Sequence, residues 1–114
     1  MSEQQTLTPE RWKRFQVDQQ VLMISNEMHR GMHSFAPEHR ASLQLCYERV
    51  LHMLGLTIGA AGSKGLRREL LRWHEVVGAL YLEERSDPDQ HRSALRVLLQ
   101  LRPALAPQVE ALGL

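Results

Sequence analysis

A chain of 114 residues is long enough to bury one hydrophobic core without disulfides or metals, and its length is that of a single domain. Its 14 lysines and arginines nearly balance 13 aspartates and glutamates, so the net charge creates no global field that attracts nucleic acid or an anionic membrane. The single cysteine, Cys46, excludes an internal disulfide framework and is typical of a reducing compartment.

The N-terminal segment carries no targeting signal that we recognise, because it lacks the apolar stretch of a signal peptide. The longest weakly polar run, residues 53–62, is about half of the roughly 20 residues that span a bilayer. We therefore expect a cytoplasmic protein without a membrane partner. Residues 1–7 are predicted to be a disordered tail, and residues 8–114 a single helical-bundle domain.

The first predicted helix begins at Thr8, whose side chain suits an N-cap, with Pro9 in the first turn. Apolar residues then recur with the 3.6-residue period of an amphipathic helix. They are Val17, Val21, Ile24, Met28, Met32 and Phe35. The pattern predicts one long helix that ends before Pro37, whose ring disfavours a helical conformation at Ala36.

Three more helices follow. The second carries Leu43, Tyr47, Val50 and Leu54 and is predicted to end near Gly62. The third extends from about Leu66 to Glu84 and is apolar on more than one side. The fourth has Asp87 as its cap and Pro88 in its first turn, and it ends before Pro103, with one short helical turn expected after Pro107.

No segment alternates between polar and apolar residues over the length of a strand, and no Asn-Gly or Asp-Gly hairpin turn is present. The predicted fold class is therefore all-α. We expect a small antiparallel bundle of about four helices, formed by two helical hairpins in an up-and-down arrangement.

The stretch GAAGSKGLRREL, residues 59–70, has glycines before a helix N-terminus, which is a setting that binds phosphate in some proteins. A phosphate-binding loop of the Walker type needs Gly-Lys-Ser/Thr after a β-strand. Here the order is Ser63-Lys64-Gly65, and the preceding segment is helical. The glycines are therefore predicted to form the turn between the second and third helices.

The third predicted helix has an unusual charge order, with arginines in its first half and glutamates in its second. The helix dipole favours the opposite order. An antiparallel second copy of the same helix would compensate, so we predict a homodimer. The predicted interface consists of Arg67, Arg68, Arg72, Trp73, Val77, Gly78, Leu80, Tyr81 and Glu84. The alternative is that this helix is the buried centre of a monomer.

Two other classes of function remain as alternatives. A metal site is suggested by His29 and His33, four residues apart, but Glu-x-x-His and His-Glu-x-x-His motifs are absent, so no metal cofactor is predicted. Nucleic-acid binding would use basic residues at the starts of the first and third helices. These residues are Arg11, Lys13, Arg14, Lys64, Arg67, Arg68 and Arg72. The near-neutral balance makes nucleic acid the less favoured partner.

No pattern indicates catalysis. The serines lie in helical or turn contexts without a nucleophile elbow, and Cys46 has no neighbouring base in the sequence. We therefore expect a non-enzymatic interaction module without a cofactor, of regulatory or adaptor type. Its expected partner is a second copy of itself or another protein.

Overall fold

The computed structural model describes residues 7–85 and 87–114, and these contain six α-helices and no strand. The helices are α1 (Pro9–Trp12), α2 (Val17–Gly31), α3 (Arg40–Ala60), α4 (Lys64–Leu82), α5 (Pro88–Gln100) and α6 (Pro107–Ala111). Short 3-10 turns precede α3 and α6. Most of the predicted disordered tail, residues 1–6, lies outside the described residues, whereas Leu7 is half-buried against the core.

The four long helices form a closed bundle. Helix α2 packs on α3, α3 on α4, α4 on α5, and α5 returns to pack on α2. Short connections between consecutive helices make neighbours antiparallel. The predicted all-α, up-and-down architecture is confirmed, and the third predicted helix corresponds to α4.

The ends of the helices follow from local side chains. Thr8 Oγ1 accepts a hydrogen bond from the Arg11 amide at 3.3 Å, and Asp87 Oδ1 accepts from the Asp89 amide at 2.9 Å. Ser63 caps α4 by accepting from the Leu66 amide at 3.1 Å. These contacts satisfy amides that have no partner within the first turn. The turn into α4 is residues 61–63 and contains Gly62 as predicted, whereas Gly59 lies in the last turn of α3 and Gly65 in the first turn of α4.

The single long first helix is predicted wrongly, because α1 ends at Trp12, α2 begins at Val17, and α2 ends at Gly31, before the predicted Met32 and Phe35. The Trp12 indole turns into the core and donates to Thr57 Oγ1 at 2.8 Å. Gln20 Nε2 donates to the carbonyls of Trp12 and Phe15, both at 3.0 Å, and the Trp12 carbonyl also accepts from the Phe15 amide at 3.1 Å in a tight turn. The chain consequently bends between α1 and α2.

The core is built from the inward faces of all four long helices. Its largest completely buried side chains include Trp12, Tyr47, Ile24, Met28 and several leucines of α3, α4 and α5. One hydrogen bond fastens α4 to α5, since Trp73 Nε1 donates to the Ala94 carbonyl at 2.8 Å. A polar bond on an otherwise apolar side chain fixes the position of α4 against α5.

Candidate functional site

The predicted interface residues of α4 separate into a buried and an exposed set. Trp73, Val77 and Leu80 are only 2%, 0% and 7% exposed in the single chain. They pack into the core, so a second copy cannot contact Val77 without opening the bundle. The structure therefore places these three residues where the monomer alternative expected them, and we correct their assignment from an open surface to the core.

The remaining predicted residues lie at or near the surface. Arg67, Arg68, Arg72 and Glu84 are exposed, whereas Gly78 and Tyr81 are half-buried. The Tyr81 hydroxyl donates to Glu48 Oε1 at 3.2 Å, which joins α4 to α3. This hydrogen bond and the negative carboxylate raise the pKa of Tyr81, because both disfavour the phenolate.

Two exposed leucines and a glycine lie along the outer side of α4, among charged residues. Leu71 is 48% exposed and Leu82 is 80% exposed, and a Cβ placed on Gly78 would have no neighbour within 4 Å. With Arg68 and Glu75 these residues are spaced alternately by three and four positions, which is the spacing of a seam between paired helices. We call Arg68, Leu71, Glu75, Gly78 and Leu82 the outer stripe.

An open groove of about 490 Å³ lies between α4 and α5, on one flank of the outer stripe. The buried side chains of Trp73, Leu80 and Ala94 form its floor. Two half-exposed valines stand at its rim, Val76 at 46% and Val97 at 48%. The groove therefore adds apolar side chains beside the exposed leucines of α4, with the charged residues Arg68, Arg72 and Glu75 between them.

The charges on α4 find little compensation within the chain. The ion pairs among the described residues join Glu27 to Arg30 and Arg49, and Asp18 to Arg102, and none involves α4. Glu83 accepts a hydrogen bond from Arg40 at 2.6 Å, but it does so through its backbone carbonyl. Both the arginines and the glutamates of α4 therefore keep their charged groups available.

A buried polar centre connects three helices, and sequence reasoning missed it. His91 of α5 is 0% exposed, its Nε2 lies 2.6 Å from the Met28 carbonyl, and its Nδ1 lies 2.7 Å from the Tyr47 hydroxyl. A carbonyl can only accept, so Nε2 carries the proton and Nδ1 accepts from Tyr47. Burial lowers the pKa of His91, because it disfavours the imidazolium. The available signal was that His91 lies four residues before Leu95 and seven before Leu98, on the apolar face of α5.

The neighbouring thiol is a core residue. Cys46 is 3% exposed and donates to the Glu27 carbonyl at 3.3 Å. Burial is the main cause that raises its pKa to about 12, and the Glu27 charge adds to the effect. A thiol held protonated in this way is a poor nucleophile. The side chain of Glu27 is itself buried and accepts hydrogen bonds from Arg30 and Arg49.

The histidines singled out by spacing do not gather further ligands. The rings of His29 and His33 meet edge to face with centroids 6.3 Å apart. Across residues 7–85 and 87–114, no group of three or more His, Cys, Asp or Glu side chains is arranged to hold a metal ion. This pair therefore offers two ligands, whereas zinc usually takes three or four from the protein.

No protein-family model, curated protein or solved structure matches the chain. Within the described part of the chain, every helix is too short or too polar to cross a bilayer.

Proposed function

We propose that the protein is a non-enzymatic interaction module of regulatory or adaptor type, which forms a homodimer through the outer stripe of α4. The observation that carries the proposal is the pair of exposed leucines, Leu71 and Leu82, at the spacing of a helix-pairing seam. Burying a leucine side chain stabilises by about 1.5–3 kcal/mol relative to leaving it in water. In a two-fold dimer both copies contribute Leu71 and Leu82, so four leucine side chains are buried.

The order of residues along the stripe supports an antiparallel pair. With the two-fold axis between Glu75 and Val76, Leu71 of one copy falls between Gly78 and Leu82 of the other. The absence of a side chain at Gly78 allows the second helix to approach closely there. The leucine of each copy thus fills a gap left by the other, as knobs fill holes in helix pairs.

The same arrangement aligns one pair of opposite charges, while the two Glu75 carboxylates come together beside the axis. Arg68 of one copy lies opposite Glu83 of the other, and the symmetry repeats this pair. Exposed ion pairs of this kind contribute about 0–1 kcal/mol each, so their main effect is to select the antiparallel orientation. The rim valines, Val76 and Val97, extend the apolar contact beside them.

Light scattering on a sizing column tests the proposal. We expect a mass twice the 13.1 kDa of one chain. Leu71→Asp with Leu82→Asp should give a monomer that remains folded, because both side chains are exposed. Leu45→Asp is the matched control, since Leu45 is also 50% exposed but lies on α3. A wild-type monomer at all concentrations, or dissociation by the control alone, would overturn the proposal.

A charge exchange tests the orientation separately. Arg68→Glu should weaken the dimer at low salt, and adding Glu83→Arg should restore it, because the exchanged pair has the same geometry with reversed signs. Arg96→Glu on α5 serves as the control for altered net charge. Failure of the second substitution to restore association would contradict the antiparallel register while leaving the apolar contact intact.

A further inference from the structure

The fold brings two basic segments, which are separate in the sequence, to one end of the bundle. Helix α1 is anchored there by the 2.8 Å hydrogen bond from Trp12 to Thr57. Thr57 lies in the last turn of α3, which ends at Ala60, and α4 begins at Lys64. The start of α4 and the whole of α1 therefore occupy the same end of the molecule.

Six exposed cations lie in these two segments. They are Arg11, Lys13, Arg14, Lys64, Arg67 and Arg68, and we call them the basic end. None of their side chains makes an ion pair or a hydrogen bond with another residue of the described ranges. Five other arginines do so through their side chains, namely Arg30, Arg40, Arg49, Arg92 and Arg102.

The near-neutral total conceals this local excess. Glu10 and Glu69 are the acidic residues within the two basic segments, whereas the opposite end of α4 and the start of α5 carry several carboxylates. These are Glu83, Glu84, Asp87 and Asp89. The molecule is thus polarised along the bundle, and a polyanion approaching the basic end meets a positive field within a Debye length of about 10 Å.

The chemistry of the basic end fits nucleic-acid phosphates. Four of its six cations are arginines, whose planar guanidinium groups bind phosphate oxygens in pairs. Phe15 follows Arg14 directly, is 38% exposed, and is held edge to face against Trp12 with ring centroids 6.0 Å apart. A partly exposed aromatic ring beside phosphate-binding cations is the combination used for stacking unpaired bases.

We propose that the basic end binds single-stranded nucleic acid, with its cations on the phosphates and Phe15 stacked on a base. A bilayer surface fits less well, because amphipathic membrane helices need a long apolar face and α1 spans four residues. This binding does not depend on the homodimer, although Arg68 belongs to both surfaces. The variants that test it therefore leave Arg68 unchanged.

Fluorescence anisotropy with a labelled oligothymidylate measures the interaction. We expect saturable binding that weakens with salt, with a slope of log affinity against log salt of up to about −4 if all six cations contact phosphates. Lys13→Glu with Arg14→Glu, and separately Lys64→Glu with Arg67→Glu, should each lower the affinity about tenfold or more and reduce the slope by about 1 to 2.

A matched control distinguishes binding at the basic end from a general effect of net charge. Arg85→Glu with Arg96→Glu changes the net charge equally outside the basic end, at residues whose side chains likewise make no hydrogen bond within the described ranges. We expect this control to leave the affinity within about twofold, since the altered charges lie beyond the phosphate contacts. An equal loss in the control, or no saturable binding even at low salt, would overturn the proposal.

Two further arms identify the ligand. Phe15→Ala should weaken binding of the single strand several-fold and leave a duplex of the same length unaffected, because paired bases are not available for stacking. Vesicles of phosphatidylglycerol and phosphatidylcholine provide the alternative anionic surface. Tighter binding to the vesicles than to the oligonucleotide, or an equal effect of Phe15→Ala on both nucleic acids, would contradict the assignment.

Discussion

His91 illustrates how a single buried polar residue can organise the ends of other elements. The Met28 carbonyl lies in the last turn of α2, where the Met32 amide bonds to His29 instead. Carbonyls in this position need a partner from outside the helix. His91 supplies it, and Tyr47 supplies the donor for the other ring nitrogen, so no polar atom of the imidazole is left unpaired.

Gly31 is required by the packing around this centre. A Cβ at this position would lie 2.7 Å from Cys46 Sγ and 3.4 Å from His91 Cε1. We expect Gly31→Ala to lower the free energy of unfolding by about 1–3 kcal/mol, although alanine is the better helix former, because the added methyl overpacks the core. Urea denaturation followed by circular dichroism measures the change.

The Cys46→Ala background isolates the cause of that loss. Removing Sγ removes the closest of the contacts, so Gly31→Ala should be less destabilising in this background than in the wild type. The difference is a coupling free energy between the two sites. The same cost in both backgrounds would show that the sulfur is not the obstacle.

Helix α4 is the element in which one sequence supports two surfaces. Its inner face, with Trp73, Val77 and Leu80, and its outer stripe, with Leu71 and Leu82, both have helical periodicity. Periodicity alone does not say which of two apolar faces turns inward. Only the position of α3 and α5 decides this, and for that reason the predicted interface mixed residues of the core with residues of the surface.

Substitutions of Gly78 distinguish an outer stripe that only faces solvent from one that packs against a second copy. Because a Cβ at this position would meet no atom within 4 Å, Gly78→Ala should stabilise the folded chain by up to about 1 kcal/mol through helix propensity. Gly78→Leu should retain part of this gain in the monomer but weaken the dimer by blocking close approach. Thermal unfolding and light scattering together measure both effects. An unchanged dimer in Gly78→Leu would contradict a close crossing at this residue.

The helix boundaries differed in how far local sequence determined them. The starts at Thr8 and Asp87 were predictable because a capping side chain acts on an amide two or three residues away. The bend after α1 was not, because it depends on Trp12 reaching Thr57 in a distant part of the chain. Residues 12–17 fit the helical period equally well, so only tertiary contact distinguishes a bend from a continuous helix.

At the scale of the whole molecule, the buried centre makes stability depend on pH. The pKa of His91 is lowered in the folded state, while an unfolded histidine titrates near about 6.5. The unfolded chain therefore binds more protons just below this pH, and stability falls as the pH falls through about 6.5. Stability is regained as the pH rises above that value.

Comparison with a variant assigns this effect to His91. His91→Gln should be less stable near about pH 7.5, but it should lose less stability than the wild type between about pH 7.5 and about pH 5.5, since this titration is removed. His52→Gln, at an exposed position on α3, is the control and should keep the wild-type slope. Urea unfolding at several pH values measures the slopes. Equal slopes in wild type and His91→Gln would contradict the assignment.

The enclosed thiol has a consequence for how motion of the bundle can be observed. Cys46 faces α2 from α3, with its Sγ against the Glu27 carbonyl, and its pKa is raised to about 12. A thiolate attacks a disulfide reagent only when the two can meet, so labelling must wait until α2 and α3 separate. Because the chain has one cysteine, the rate at which the wild-type protein is modified reports the separation of α2 from α3.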